Sequence, residues 1–282
     1  MTTTASTPWQ FTDSRGQLVT APTRPRRIAA YIQAGASLYD HGLRPAGIFG
    51  SYHDGPTPDP AKSGGLPLAD VTYFGAGPAL DPDAVLAAGI DLLVAVSYGG
   101  SAVYGMEPDT AKHLEEHIPT VVLDIGQGRS LTEVRESFHA LAETLGSTEP
   151  PEAAHELADA QAKLKSLISP STRPLLALSP ADDTDVHLAR PHAWPDLRAL
   201  SALGVPFLSP PPEGGVNWAT VPWESAAALT LHVVLADTRI NAAPFPPSRL
   251  GPDVQILPWN PELPASATAH TAFFTTVAEA PL

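Results

Sequence analysis

The residues of this chain with the spacing to do chemistry are few. His113-Leu114-Glu115-Glu116-His117 has the H-x-x-E-H letter pattern of inverted zinc proteases. Two histidines at i and i+4 share one helix face, but a protease centre needs a further carboxylate brought near, and none is singled out by the sequence. A solvated helical face is the expected reading, with no metal assigned. The ten histidines (41, 53, 113, 117, 139, 155, 187, 192, 232 and 270) otherwise show no tight ligand spacing. There is no G-x-x-x-x-G-K-[ST], no G-x-G-x-x-G after a strand and no G-x-S-x-G elbow, and Gly75-Ala76-Gly77 runs into Pro78, which makes a poor phosphate cradle. Ser, His and Asp are plentiful, so a convergent triad stays open. With no cysteine, a disulfide framework, a thiolate metal site and a cysteine nucleophile are all excluded.

The whole composition narrows the classes further. A length of 282 residues with 43% hydrophobic content supports one large domain or two of ordinary size. A net charge of −14 argues against a nucleic-acid partner and favours a neutral or cationic ligand. No apolar run approaches membrane-spanning length, so no membrane insertion is expected. The tail Met1 to Gln10 has neither a positive n-region nor an apolar h-region. A cytoplasmic location is therefore expected as the sequence stands, or an extracytoplasmic one if an export signal has been removed.

The elements that must position any site begin with Arg27 to Gly50. Ile28 to Ile32 is an apolar strand, Ala34 to His41 a short helix, Gly42 a helix terminus and Ala46 to Phe49 a second strand. A βαβ unit makes the two strands parallel. Residues 51–75 form a long Pro/Gly-rich connection of the kind that lines a site. Asp81-Pro82-Asp83 opens a helix that Gly89 stops, and Ile90 to Ser97 is a buried strand. Asp109 to His117 is a helix and Val121 to Ile125 a strand. Ser130-x-x-Glu133 is a capping box for a helix with Leu131, Val134, Phe138, Leu141 and Leu145 on one face, closed by Gly146. Glu152 to Ile168 is a helix of roughly 25 Å. The second half repeats the pattern: strands at Leu175 to Ser179, Val205 to Leu208, Val233 to Ala236 and Ile256 to Trp259, and helices at Trp194 to Leu203, Pro222 to Leu231 and Ser266 to Ala278.

In open α/β sheets ligands sit beyond the carboxyl ends of strands. That rule selects Tyr31, Gln33, Tyr52, His53, Tyr73, Phe74, Tyr98 and Tyr104 from the first half. From the second it selects His187, Arg190, His192, Trp194, Asn217, Trp218 and Arg239. Aromatics with a few donors suit a bulky, partly apolar solute, and arginine grips carboxylate or catecholate oxygens. All six tyrosines lie between Tyr31 and Tyr104, so a tyrosine-rich wall is expected there.

The phrases FTDSRGQLVTAP and RPRRIAAYIQAGASLYDHGLRPAGIFG, with the later helix-then-IDLLVAV and Trp223-Glu224 motifs, resemble the class III periplasmic solute-binding proteins of iron-siderophore, haem and cobalamin ABC importers. The resemblance runs through nearly the whole chain. It implies a two-lobed α/β fold with parallel sheets flanked by helices: a lobe at 1–149, one spine helix at 150–169 and a lobe at 170–282. It further implies a monomer that clamps an iron-siderophore-type chelate between lobes, with iron only as part of the chelate and no cofactor of its own. In an exported member, Asp83 and Glu224 would dock on the ABC permease. The ligand-contacting set is then Tyr31, Gln33, Tyr52, His53, Tyr73, Tyr98, Tyr104, Arg190, Trp194, Trp218 and Arg239. The alternative is a cytoplasmic enzyme in the same fold, with His53, Tyr98 or His192 as acid or base. Binding rather than bond-making is expected.

Overall fold

The computed structural model describes residues 8–126 and 128–282; Met1–Thr7 of the polar tail lie outside the described residues. The chain divides into two compact units, Met1–Pro150 with Pro264–Ser266, and Pro151–Leu263 with Ala267–Leu282.

The first unit opens with a hairpin, β1 (Trp9–Thr12) and β2 (Leu18–Ala21), followed by β3 (Ile28–Tyr31), α1 (Ile32–Asp40), β4 (Gly47–Gly50), β5 (Thr72–Ala76), α2 (Pro82–Ala87), β6 (Leu92–Ser97), α3 (Pro108–His117), β7 (Thr120–Asp124) and α4 (Leu131–Thr144). Apart from the hairpin the strands form one parallel sheet in the order β5-β4-β3-β6-β7. Every residue of β3, β4 and β6 is buried, as a sheet covered on both faces requires. Gly42, at φ +81°, ends α1: its N–H reaches the Tyr39 carbonyl while Leu43 N–H reaches that of Leu38, which closes the last helical carbonyls. The box expected at Ser130 and Glu133 is formed in both directions. The hairpin turn docks on β7: Ser14 N donates to the Val122 carbonyl and Val122 N donates to buried Asp13.

The second unit contains α5 (Pro151–Leu167), β8 (Leu175–Pro180), β9 (Asp185–Ala189), α6 (Pro195–Ala202), β10 (Trp218–Pro222), α7 (Trp223–Ala227), β11 (Val233–Asp237), β12 (Gln255–Trp259) and α8 (Ala267–Ala278). α5 packs along α8. The sheet order is β10-β9-β8-β11-β12. Here the expected parallel sheet is mixed: β8, β11 and β12 are parallel, whereas β9 and β10 run antiparallel. The reason is local. Asp182 accepts from the Thr184 and Asp185 N–H groups, which folds residues 181–185 into a tight turn that sends the chain straight back along β8. The strand expected at Val205 to Leu208 reduces to a single bridge between Phe207 and Leu175. No helix among the described residues is long and apolar enough to cross a membrane.

Candidate functional site

In the first unit, β3 is followed by β4 on one side, and the chain later returns to add β6 on the other. The sheet order therefore reverses between β3 and β6, the position where open α/β sheets leave a crevice. Tyr31 is the last residue of β3 and Tyr98 the first after β6. Tyr104 stands between them: its ring centroid lies 5.6 Å from that of Tyr31 and 4.7 Å from that of Tyr98, both edge-on. The Tyr104 backbone N–H donates to the Val96 carbonyl at 2.8 Å, which ties the loop back to β6. Tyr98 and Tyr104 are half-buried, whereas Tyr31 has no exposed surface and also packs on Phe49. The tyrosine wall thus has a buried base and two partly open members. Tyr52, 47% exposed, and His53, also exposed, follow β4 at the same end of the sheet.

Below this wall lies a feature that the sequence reading did not find. Lys62, fully buried, places its Nζ 2.8 Å from Asp54 Oδ1, and the Tyr31 hydroxyl is 3.5 Å from the same nitrogen. Asp54 Oδ2 also accepts from Ser51 N at 2.7 Å and Ser51 Oγ at 3.0 Å. Tyr73 does not join the wall; its hydroxyl donates to the Gly55 carbonyl, and burial, with the charges of Asp54 and Asp59 added, pushes it up to about 12. The Pro/Gly-rich connection is held from inside by these contacts. Gln33 is buried in the first turn of α1.

The second unit draws its expected residues into internal networks. Ser179 Oγ, from β8, donates to Asp237 of β11 at 2.8 Å. The Arg239 guanidinium donates to both oxygens of that carboxylate and, at 2.7 Å, to Glu262. Burial alone would lower the Arg239 pKa, but the hydrogen bonds and charges of Asp237 and Glu262 outweigh it and raise it. The Arg190 guanidinium donates to the carbonyls of Pro212, Glu213 and Gly215 and so pins that loop. The donors of these two arginines serve the protein's own carboxylates and carbonyls. Trp194 is buried, in an aromatic cluster with half-buried Trp218 and buried Trp259. Trp259 Nε1 donates to Asp196 at 2.6 Å; burial of that carboxyl pushes its pKa up to about 6, despite the opposing hydrogen bond. His187 borders the cluster, hydrogen-bonded to Thr220 and lowered in pKa by burial. His192 is exposed.

Asp83 and Glu224 are exposed carboxylates in the first turns of α2 and α7, one in each unit. The H-x-x-E-H segment forms the last turns of α3, with His113 half-buried and Glu116 and His117 exposed.

Solved structures with this architecture were found by comparison. The ferric-siderophore receptor protein DesE of Streptomyces coelicolor is 23% identical, with 96% of this chain and 97% of that one covered and a TM-score of 0.84. The fold is that of the periplasmic solute-binding proteins. A periplasmic solute-binding protein of Mycobacterium smegmatis is 17% identical over 96% of both chains, with a TM-score of 0.62. The siderophore-binding protein FhuD of Vibrio cholerae, a structure with Fe3+–Desferal bound, is 12% identical over 92% of this chain and 98% of that one, with a TM-score of 0.61. Neither a family model nor a curated protein matches the sequence. The solute-binding fold expected from the opening βαβ phrase is therefore shown by structure, at identities too low for sequence to carry it.

Proposed function

We propose that this protein binds a bulky small-molecule solute, an iron-siderophore-type metal chelate, using the aromatic loops at the strand ends of its units. The observation that carries the reading is the Tyr98–Tyr104 pair, half-open at the β3/β6 reversal of a solute-binding fold. Aromatic faces with few polar groups suit such a ligand. Iron enters as cargo within the chelate.

Charge narrows the class. Lys62, Arg190 and Arg239 are each engaged inside their own unit, and the chain carries a net charge of −14. A polyanionic catecholate complex would meet no uncommitted guanidinium from these residues, whereas a neutral or cationic hydroxamate complex needs none. Binding without turnover is supported by the surroundings of His53 and His192. Both are exposed, and no side-chain hydrogen bond among the described residues orients either ring as an acid or base. In an exported setting, Asp83 and Glu224 would be the carboxylates offered to a permease, a reading supported by their exposure.

The test is tryptophan fluorescence and thermal shift of the purified chain against ferric hydroxamates, ferric catecholates, haem and cobalamin. The five tryptophans supply the signal. A ligand at a hundred times its dissociation constant adds about 2.7 kcal/mol of stability, a clear rise in midpoint. Saturable binding of a ferric hydroxamate is the expected result. Preference for a catecholate overturns the charge argument, and no response to any chelate overturns the siderophore reading.

A further inference from the structure

The end of α3 presents a second kind of chemistry, separate from the strand-end loops. His113, Glu116 and His117 sit at i, i+3 and i+4, one above another on the same helix face. One ligand atom from each lies within 4.8 Å of the other two, and the imidazole centroids are 4.7 Å apart. A tetrahedral zinc ion bound at 2.0–2.2 Å holds its ligand atoms about 3.4 Å from one another, so rotations of about an ångström in exposed side chains close the set.

Three further facts favour a cation here. His117 Nδ1 lies 2.8 Å from the His113 carbonyl oxygen. A carbonyl only accepts, so Nδ1 carries the proton and Nε2 keeps its lone pair outward, the arrangement that metal-bound histidines receive from a backbone partner. The site also occupies the C-terminal turn of a ten-residue helix, where the partial negative charge of the unpaired carbonyls attracts cations. Glu115, one residue away, is drawn off to Arg15 at 2.6 Å, which leaves Glu116 as the carboxylate of the set.

We propose that His113, Glu116 and His117 form a surface site for a divalent first-row transition metal, with zinc as its simplest occupant. Two imidazoles and a carboxylate, with no thiolate in the chain, match the ligand preferences of Zn2+ and Cu2+ rather than those of Mg2+ or Ca2+. Three protein ligands leave a fourth position for water, so the ion would be exchangeable.

The experiment is isothermal titration of the whole chain, stripped with chelator, against zinc chloride alone. Saturable binding of one zinc per chain is expected, weakened at least about tenfold in both His113→Ala and His117→Ala, less in Glu116→Gln, and unchanged in His155→Ala on the exposed side of α5. All four positions lie on helix surfaces, and circular dichroism confirms that each variant is folded. Absence of saturable binding overturns the proposal, as does zinc binding that survives the loss of both His113 and His117. Because zinc alone is the probe, the result is independent of whether any chelate binds at the tyrosine wall.

Discussion

Lys62 Nζ and Asp54 Oδ1 meet at 2.8 Å with essentially no solvent contact on either side chain, beneath the loop that carries Tyr52 and His53. A buried pair of this kind is not a large net source of stability, but removing one partner strands the other. Lys62→Met should destabilise the protein by about 3–5 kcal/mol in urea unfolding, and the double variant Lys62→Met/Asp54→Asn should recover part of that loss. Losses in Lys62→Met and Asp54→Asn that simply add in the double variant would mean that the pair is not coupled.

The tyrosines divide by exposure, and so should their phenotypes. Tyr98→Ala and Tyr104→Ala should each weaken chelate binding by roughly fivefold or more, about 1 kcal/mol, with a smaller effect on the melting midpoint. Tyr31→Ala, which empties a fully buried site, should instead cost about 3–5 kcal/mol of stability. Fluorescence titration beside thermal melts separates the two classes; a binding loss confined to Tyr31→Ala would move the contact surface inward.

Gly126 holds Tyr98 in place from behind. A Cβ at Gly126 would lie 2.4 Å from the Tyr98 carbonyl carbon and 2.7 Å from its oxygen, so one backbone or the other must shift. Gly126→Ala is expected to weaken chelate affinity although the residue contributes no side chain, while Gly128→Ala, with open space at the corresponding position, should leave it unchanged. Matched titrations of the two variants check this.

Asp196 makes stability depend on pH in an unusual direction for a carboxyl. Its folded pKa of about 6 lies above the roughly 3.9 of an unfolded aspartate, so between those values the folded state binds the extra proton. Its contribution is fully present below about pH 4 and is lost as pH rises through about 6, by about 3 kcal/mol in all. Asp196→Asn, which can still accept from Trp259 Nε1, should abolish this component. The stability difference between the variant and the parent protein should therefore shift in favour of the variant as pH rises from 4 to 7.

The parts of the fold written in local pattern were legible in the sequence. Gly42 and the Ser130/Glu133 box announced helix ends through residues at fixed offsets, and the apolar run at Leu92–Ser97 could only be a covered strand. β9 and β10 were not legible because each is only five residues long and β9 is turned back along β8 by the single side chain of Asp182. The helix expected to run to Leu231 stops at Ala227, where residues 227–230 are all exposed and offer no apolar face to hold a further turn. At the site, the strand-end rule found the tyrosines because their positions follow from strand order. It offered Arg239 without its partners because Asp237, two residues back, turns onto it only at the end of β11, and Glu262 is 23 residues away with no periodicity to link them. Lys62 and Asp54 escaped notice because they lie eight positions apart in an aperiodic loop.

The short return of Pro264–Ser266 to the first unit has a consequence for biosynthesis. Ala265 N–H closes on Ser37 Oγ at 2.8 Å, and Ser266 Oγ on Asp40, both on α1. The first unit is therefore finished by residues that follow the whole of segment 151–263 in the chain. A ribosome releasing the chain in order leaves α1 waiting for its final partners until residues 151–263 of the second unit have been made, and a stop codon placed after residue 150 would yield a fragment with that seam still open.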